Sequence, residues 1–199
     1  MAKLYFTYAA MNAGKTTILL QAAYNYRERG MRTVLYTSSL YAGDKDAEIS
    51  SRIGISSDAL LFDPETDLYA EIEHNHATEK IDSLFVDEAQ FLTREQVWQL
   101  ARVADRLSIP VLCYGLRTDF QGQLFEGASE LLAIADSLRE ARTICHCGRK
   151  ASMVARLDEA GNALTQGDQV SIGKERYVSL CRRHWEERMG RWPTSDTPA

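Results

Sequence analysis

No stretch of this chain approaches the roughly 18 consecutive apolar residues that cross a membrane, so no membrane partner is expected. Positive charge is also short. There are 23 Lys and Arg against 28 Asp and Glu, a formal net charge of -5, and this argues against a broad nucleic-acid-binding face. The N-terminus, Met-Ala-Lys-Leu-Tyr-Phe-Thr-Tyr, has one basic residue and lacks the pattern of a secretory signal or an Arg-rich transit peptide. A cytoplasmic protein is the expectation. Internal repeats and low-complexity segments are missing as well. Cysteine is sparse, with 4 residues in 199. Three of them, Cys145, Cys147 and Cys181, lie near the C-terminus, and in a reducing compartment that clustering points to a metal before disulfides. Cys113 sits in the apolar run Ile109–Tyr114 and reads as core.

What is present is an ordinary apolar content of 45%, enough for one substantial core with a small satellite lobe. Leu4–Tyr8 reads as a buried strand, Ala9–Ala13 as a loop and Lys15–Arg29 as a helix stopped by Gly30. Arg32–Thr37 returns as a strand, giving a βαβ opening and hence a parallel sheet. Ser38–Ser57 is polar and reads as a loop. Asp67–His76 and Thr93–Leu107 read as helices, the second capped by Thr93. Ser83–Val86 and Ile109–Tyr114 are apolar strands, Gly115–Phe125 a loop and Gly127–Leu138 a further helix. The pattern changes near Arg142. Short strand-like pieces follow (Ala151–Leu157, Gln169–Ile172, Arg176–Leu180), then a helix from Arg182 to Met189. Arg191–Ala199, with two prolines and small polar residues, reads as a frayed tail.

Between the first strand and the first helix runs Ala9-Ala10-Met11-Asn12-Ala13-Gly14-Lys15-Thr16. It fits the phosphate-binding pattern G-x-x-x-x-G-K-[ST] except that Ala9 replaces the first glycine. Alanine is acceptable there if the backbone keeps negative φ. The backbone N–H groups from Met11 to Thr16 can wrap phosphates at a helix N-terminus. Lys15 supplies charge to the β- and γ-phosphates of ATP, and the Thr16 hydroxyl can ligate Mg²⁺.

Leu84-Phe85-Val86-Asp87-Glu88 is an apolar strand ending in two carboxylates. In phosphate-loop proteins such a strand lies beside the loop and its aspartate serves the Mg²⁺ shell, the role expected of Asp87. Side chains alternate along a strand, so Glu88 is expected to point elsewhere. It can act as general base on an acceptor hydroxyl, or polarise water in an ATPase.

Near the C-terminus, Cys145-x-Cys147 and Cys181-x-x-His184 form two knuckles of soft ligands that suit a tetrahedral, structural Zn²⁺. The first spacing is tighter than the commoner C-x₂₋₄-C, and His146 lies between the cysteines as a competing donor. A metal there would staple a lobe without a large core of its own.

Taken in order, the phosphate loop, Asp87-Glu88-Ala89-Gln90-Phe91, Leu116-Arg117-Thr118-Asp119-Phe120, Cys145-His146-Cys147-Gly148 and Cys181-Arg182-Arg183-His184 resemble the type II thymidine kinases of bacteria and animal cytosol. The resemblance runs from about Lys3 to Trp185. It implies an α/β fold with a RecA-like phosphate-loop parallel sheet flanked by helices over residues 1–141. A small zinc-ribbon-like lobe carrying a lasso loop follows over 142–190, and 191–199 is a tail. It implies transfer of the γ-phosphate of ATP to the 5′-hydroxyl of thymidine, with Glu88 as base, Asp87 linked to Mg²⁺, and Ala89 and Gln90 closing the nucleotide segment. Met11, Phe91, Leu116, Phe120 and Phe125 are implied to line the thymine pocket. The lasso, about Val170–Tyr177, is implied to add Ile172, Gly173 and Tyr177. A homotetramer is implied too.

The sequence departs from the family at Ala9 and at Ile172-Gly173-Lys174, where Ile-Gly-Gly is usual. It departs also at Leu40–Lys45, which lacks the arginine of the family's Asp-x-Arg element. Lys45 stands near that place but has no bidentate fork. The alternative reading is a RecA-like ATPase whose zinc ribbon acts on nucleic acid. It expects an arginine finger and a basic path, and neither is legible.

Overall fold

The computed structural model describes residues 1–42, 47–170 and 176–191, with the side chains of Tyr41 and Ala42 excepted. Expectations that fall on Gly43, Asp44 and Lys45, on Ile172, Gly173 and Lys174, and on the tail beyond Arg191 lie outside these residues. The chain forms two compact units. The first comprises Met1–Tyr8, Gly14–Arg117 and Phe125–Ala141; the second comprises Ala9–Ala13, Thr118–Leu124 and the chain from Arg142 onward.

The elements of the first part of the chain are β1 (Leu4–Ala9), α1 (Lys15–Glu28), β2 (Thr33–Ser38), α2 (Ser39–Ala42), β3 (Glu48–Ser50), β4 (Ser56–Asp58), β5 (Leu60–Phe62), α3 (Leu68–Thr78) and β6 (Ser83–Val86). A 3₁₀ turn at Ala89–Phe91, α4 (Arg94–Leu107), β7 (Val111–Leu116), α5 (Glu126–Ile134) and β8 (Ser137–Glu140) follow. Six strands form a parallel sheet in the order β5-β2-β6-β7-β1-β8, with Leu35 opposite Phe85 and Phe85 opposite Leu112. Leu19, Leu20 and Ala23 of α1 pack against Leu35, Phe85 and Tyr114. β6 is buried at all four positions, as a central parallel strand must be.

Local chemistry explains the helix limits. Asp67 accepts from the Ala70 N–H at 3.0 Å and starts α3. Thr93 and Gln96 form a reciprocal capping box at α4. Gly30, at φ 73°, ends α1.

Three stretches differ from the sequence reading. Ser38–Ser57 is not simply a loop. It contains α2, and β3 pairs antiparallel with β4; these three-residue strands are mostly polar and carry no alternation to read. The segment before α3 adds the edge strand β5, parallel to β2. The helix expected to reach Leu138 stops at Ile134. Ala135 is extended, and the Asp136 carboxylate and N–H bond the Leu4 N–H and carbonyl at 2.7 and 2.9 Å. The chain is thus captured by β1 and continues as β8. Pairing overrides helix propensity there.

The second unit contains β9 (Thr143–Ile144), β10 (Lys150–Ala151), β11 (Met153–Leu157), β12 (Arg176–Leu180) and α6 (Arg182–Arg188). β9 pairs with β10 and β11 with β12, both antiparallel. Its core is small: Cys145, Ala151, Ala155, Leu157, Leu180, Cys181, Trp185 and Met189. Gln169 and Val170, expected in a strand, are irregular. No described helix is long and apolar enough to cross a membrane.

Candidate active site

The loop between β1 and α1 turns twice through left-handed backbone, at Asn12 (φ 61°) and Gly14 (φ 74°). Ala9 has no positive φ, so its methyl group meets the condition set by the missing glycine. Gly14 occupies the N-cap of α1 and no side chain caps it, so the first-turn N–H groups lack intrahelical partners. Such a terminus suits an anion. Lys15 follows and is buried. Burial pulls its ammonium below the ordinary pKa, Glu88 and Asp87 pull it back up, and Arg52 lowers it further.

Arg52 lies beyond β3, in the turn of the β3–β4 hairpin; it is exposed, and its charge is the weakest of the influences on Lys15. It lies outside Leu40–Lys45, the stretch where the family's arginine is expected.

β6 delivers Asp87 to the same neighbourhood. Asp87 is buried, its N–H donates to the Tyr36 carbonyl at 2.8 Å, and its carboxylate accepts from Thr16. Burial and the adjacent Glu88 push its pKa up to about 7, against the opposing effects of Thr16 and Lys15. The two residues expected to share Mg²⁺, Thr16 and Asp87, are therefore in contact, and oxygen donors of this kind suit that hard cation.

Strand alternation does not set the conformation of Glu88. β6 ends at Val86, and Glu88 is itself left-handed at φ 53°. A non-glycine residue held there is strained, and such strain gathers at functional sites. Gln90 fixes the side chain: its Nε2 donates to Glu88 Oε2 at 2.6 Å, and its Oε1 accepts from the Leu116 N–H at 2.8 Å. A backbone amide can only donate, so the orientation of the Gln90 amide is determined. Gly115 makes room for it, since a Cβ there would lie 2.8 Å from Gln90 Oε1.

Of the residues expected around thymine, Phe91, Leu116 and Phe125 belong to the first unit. Phe91 and Phe125 meet edge to face at 5.8 Å, and Leu116 ends β7. Met11, Phe120 and Tyr177 belong to the second. The Met11 carbonyl accepts from Ser179 Oγ at 2.5 Å, Phe120 is fully buried, and Tyr177 lies opposite Arg156 in the β11–β12 ladder.

The second unit also gathers Cys145, Cys147, Cys181 and His184, whose ligand atoms all lie within 4.8 Å of one another. His184 Nδ1 is 3.3 Å from Cys145 Sγ and 3.4 Å from Cys181 Sγ, and Cys147 and Cys181 sulfurs are 3.9 Å apart. Sulfurs about 3.8 Å apart are what a tetrahedral ion with metal–sulfur bonds of about 2.3 Å requires, so the donors fit such an ion. Burial raises the Cys145 thiol, but the N–H groups of Cys147 and Cys181 and the His184 ring outweigh it and bring it down to about 6. His146 is not in the cluster; its ring stacks on His184 at 4.2 Å. On the far side of His184, Glu187 Oε2 lies 3.8 Å from Nε2, the usual place for a supporting carboxylate.

The thymidine kinase family model matches residues 2–185. A thymidine kinase of Mesorhizobium japonicum is 63% identical over 196 residues, 98% of this chain and 97% of the relative. One of Agrobacterium fabrum is 60% identical over 188 residues, covering 94% and 97%. One of Rhizobium meliloti is 60% identical over 192 residues, covering 95% and 98%. A match of this extent, on a chain that brings Lys15, Asp87 and Glu88 together, shows that the protein belongs to the thymidine kinase family.

Proposed function

We propose that the protein transfers the γ-phosphate of ATP to the 5′-hydroxyl of thymidine, giving dTMP and ADP for DNA synthesis. The observation that carries this reading is Glu88: left-handed, tethered by Gln90 and adjacent to Asp87, in a chain of this family. Glu88 takes the 5′-hydroxyl proton as that oxygen attacks the γ-phosphorus. The bond to the β,γ-bridging oxygen breaks, and ADP leaves with the electron pair. Residues Ala9 to Thr16 and Asp87 to Gln90 hold the nucleotide. Lys15 balances charge on the β- and γ-phosphates, and Arg52 is the second cation. Loss of such a clamp costs on the order of a hundredfold in rate.

Thr16 and Asp87 would hold Mg²⁺, which when bound neutralises phosphate charge. The thymine contacts are Phe91, Leu116 and Phe125 in the first unit. In the second they are Met11, Phe120 and Tyr177, with Ile172 and Gly173. Cys145, Cys147, Cys181 and His184 would hold a structural Zn²⁺. The same reading divides the chain into a kinase domain over 1–141, a zinc domain over 142–190 and a tail. It makes the enzyme a cytoplasmic homotetramer that does not bind nucleic acid.

A labelled-ATP transfer assay across the four deoxynucleosides tests the proposal. Label transferred to thymidine in preference to the others is expected. ATP hydrolysis with no nucleoside dependence would favour the ATPase instead.

A further inference from the structure

Asp119, in the Thr118–Leu124 segment of the second unit, is a buried carboxylate, 4% exposed. Burying a charge is costly unless its lone pairs are filled. Oδ1 accepts from the N–H groups of Gln121 and Gln123 at 2.9 and 2.8 Å, closing a tight turn through Gly122 at φ 83°. Those two bonds complete the turn. Oδ2 does something the turn does not need: it accepts from Gln169 Nε2 at 3.0 Å, fifty residues further along.

A second link joins the same two segments. The buried Arg156 guanidinium lies 3.9 Å from the centroid of the Phe120 ring, and its Nη1 donates to the Asp168 carbonyl at 2.9 Å. Gly167, at φ 134°, has no room for a Cβ against Arg156 Nη2. The Phe120 carbonyl is fixed in turn by Trp185 Nε1 at 3.1 Å.

We infer that Asp119 is a positioning residue for nucleoside binding, holding Phe120 and Gln169 in one fixed arrangement through its Oδ2 bond. This rests on the thymidine kinase reading, in which Phe120 contacts thymine. The bond has a polarity that can be reversed. Asp119→Asn presents an amide N–H, which the Gln169 amide can meet only by turning over, so that its Oε1 accepts and its second bond, from Nε2 to the Leu124 carbonyl at 3.4 Å, is lost. Gln169→Glu sets carboxylate against carboxylate. The double variant restores one donor and one acceptor.

Steady-state kinetics of the wild type, both single variants, the double variant and Gln169→Ala test this, with zinc content and melting temperature measured in parallel. Gln169 is exposed, so Gln169→Ala removes the link while leaving the buried turn intact. Gln169→Ala and Gln169→Glu are each expected to raise the KM for thymidine on the order of tenfold, the effect of one hydrogen bond to a charged group, and Asp119→Asn to raise it by less, with the KM for ATP unchanged. The double variant should return to within about threefold of wild type. Unchanged thymidine KM in Gln169→Ala and Gln169→Glu, or a double variant no better than Gln169→Glu, overturns the inference and leaves Asp119 a local turn residue. A wild type that does not phosphorylate thymidine removes the kinase reading and this inference together.

Discussion

At Asp87, burial and the neighbouring Glu88 move the pKa from 3.8 to about 7. Between those values the folded protein holds a proton that the unfolded chain has released. The unfolded state therefore binds fewer protons, and stability falls as pH rises from about 4 to about 7, then levels. Asp87→Asn removes the titrating group at nearly constant shape. In chelator, without nucleotide, the variant should match wild type near pH 4 and exceed it near pH 8 by up to a few kcal/mol in denaturant unfolding. Parallel stability–pH curves for the two proteins would contradict this. Glu88→Gln separates binding from chemistry. ATP affinity by calorimetry should persist while kcat for thymidine falls on the order of 10²- to 10⁴-fold, and equal turnover removes Glu88 from the base role. Both acids were legible because an apolar strand ending in Asp-Glu behind a phosphate loop is a specific pattern. The left-handed backbone of Glu88 was not, since no residue type in the motif demands it. The influence of Arg52 on Lys15 was not legible either, because it depends on a polar hairpin whose reversal leaves no periodic trace.

At the scale of elements, the 3₁₀ turn at Ala89–Phe91 carries Gln90 and is braced from outside. Gly127 in α5 sits against it, and a Cβ there would lie 2.6 Å from the Ala89 carbonyl oxygen and 2.7 Å from that of Leu92. Both are backbone atoms, so neither can swing aside. In an open helix Gly→Ala gains about 1 kcal/mol of propensity. Here overpacking of about 1–3 kcal/mol outweighs it, and Gly127→Ala should lower the melting temperature by several degrees. It should also lower kcat, because the turn that tethers Glu88 must shift. A variant more stable than wild type would show that α5 and the turn are not in tight contact. The helices α3 and α4 could be read because their caps are local chemistry, Asp67 and Thr93 each bonding within three residues. The edge strands β5 and β8 could not. Three or four residues hold no period, and Ser137–Glu140 becomes a strand only because β1 supplies the partner.

Across the whole molecule, the second unit gathers distant segments of the chain, Ala9–Ala13 among them. Sequence motifs marked the loop and the Cys₃His set separately but gave no sign of the bond between Ser179 and Met11, 168 residues apart. Ser179 lies on β12, one residue before Leu180 and two before Cys181 of the Cys₃His set. Order at the metal cluster therefore reaches the Met11 carbonyl through β12. The Met11–Ala13 amides, which the proposal assigns to the phosphates, follow from it. Ser179→Ala deletes that bond without touching a metal ligand. ATP–Mg²⁺ affinity should weaken about fivefold, the effect of one hydrogen bond of about 1 kcal/mol, with metal content equal to that of wild type. If the Cys₃His set holds the proposed zinc, chelation should weaken ATP binding by more, because it releases Ser179 together with the rest of β12. If calorimetry finds the same ATP affinity in wild type, in Ser179→Ala and after chelation, the Ser179–Met11 bond does not serve nucleotide binding.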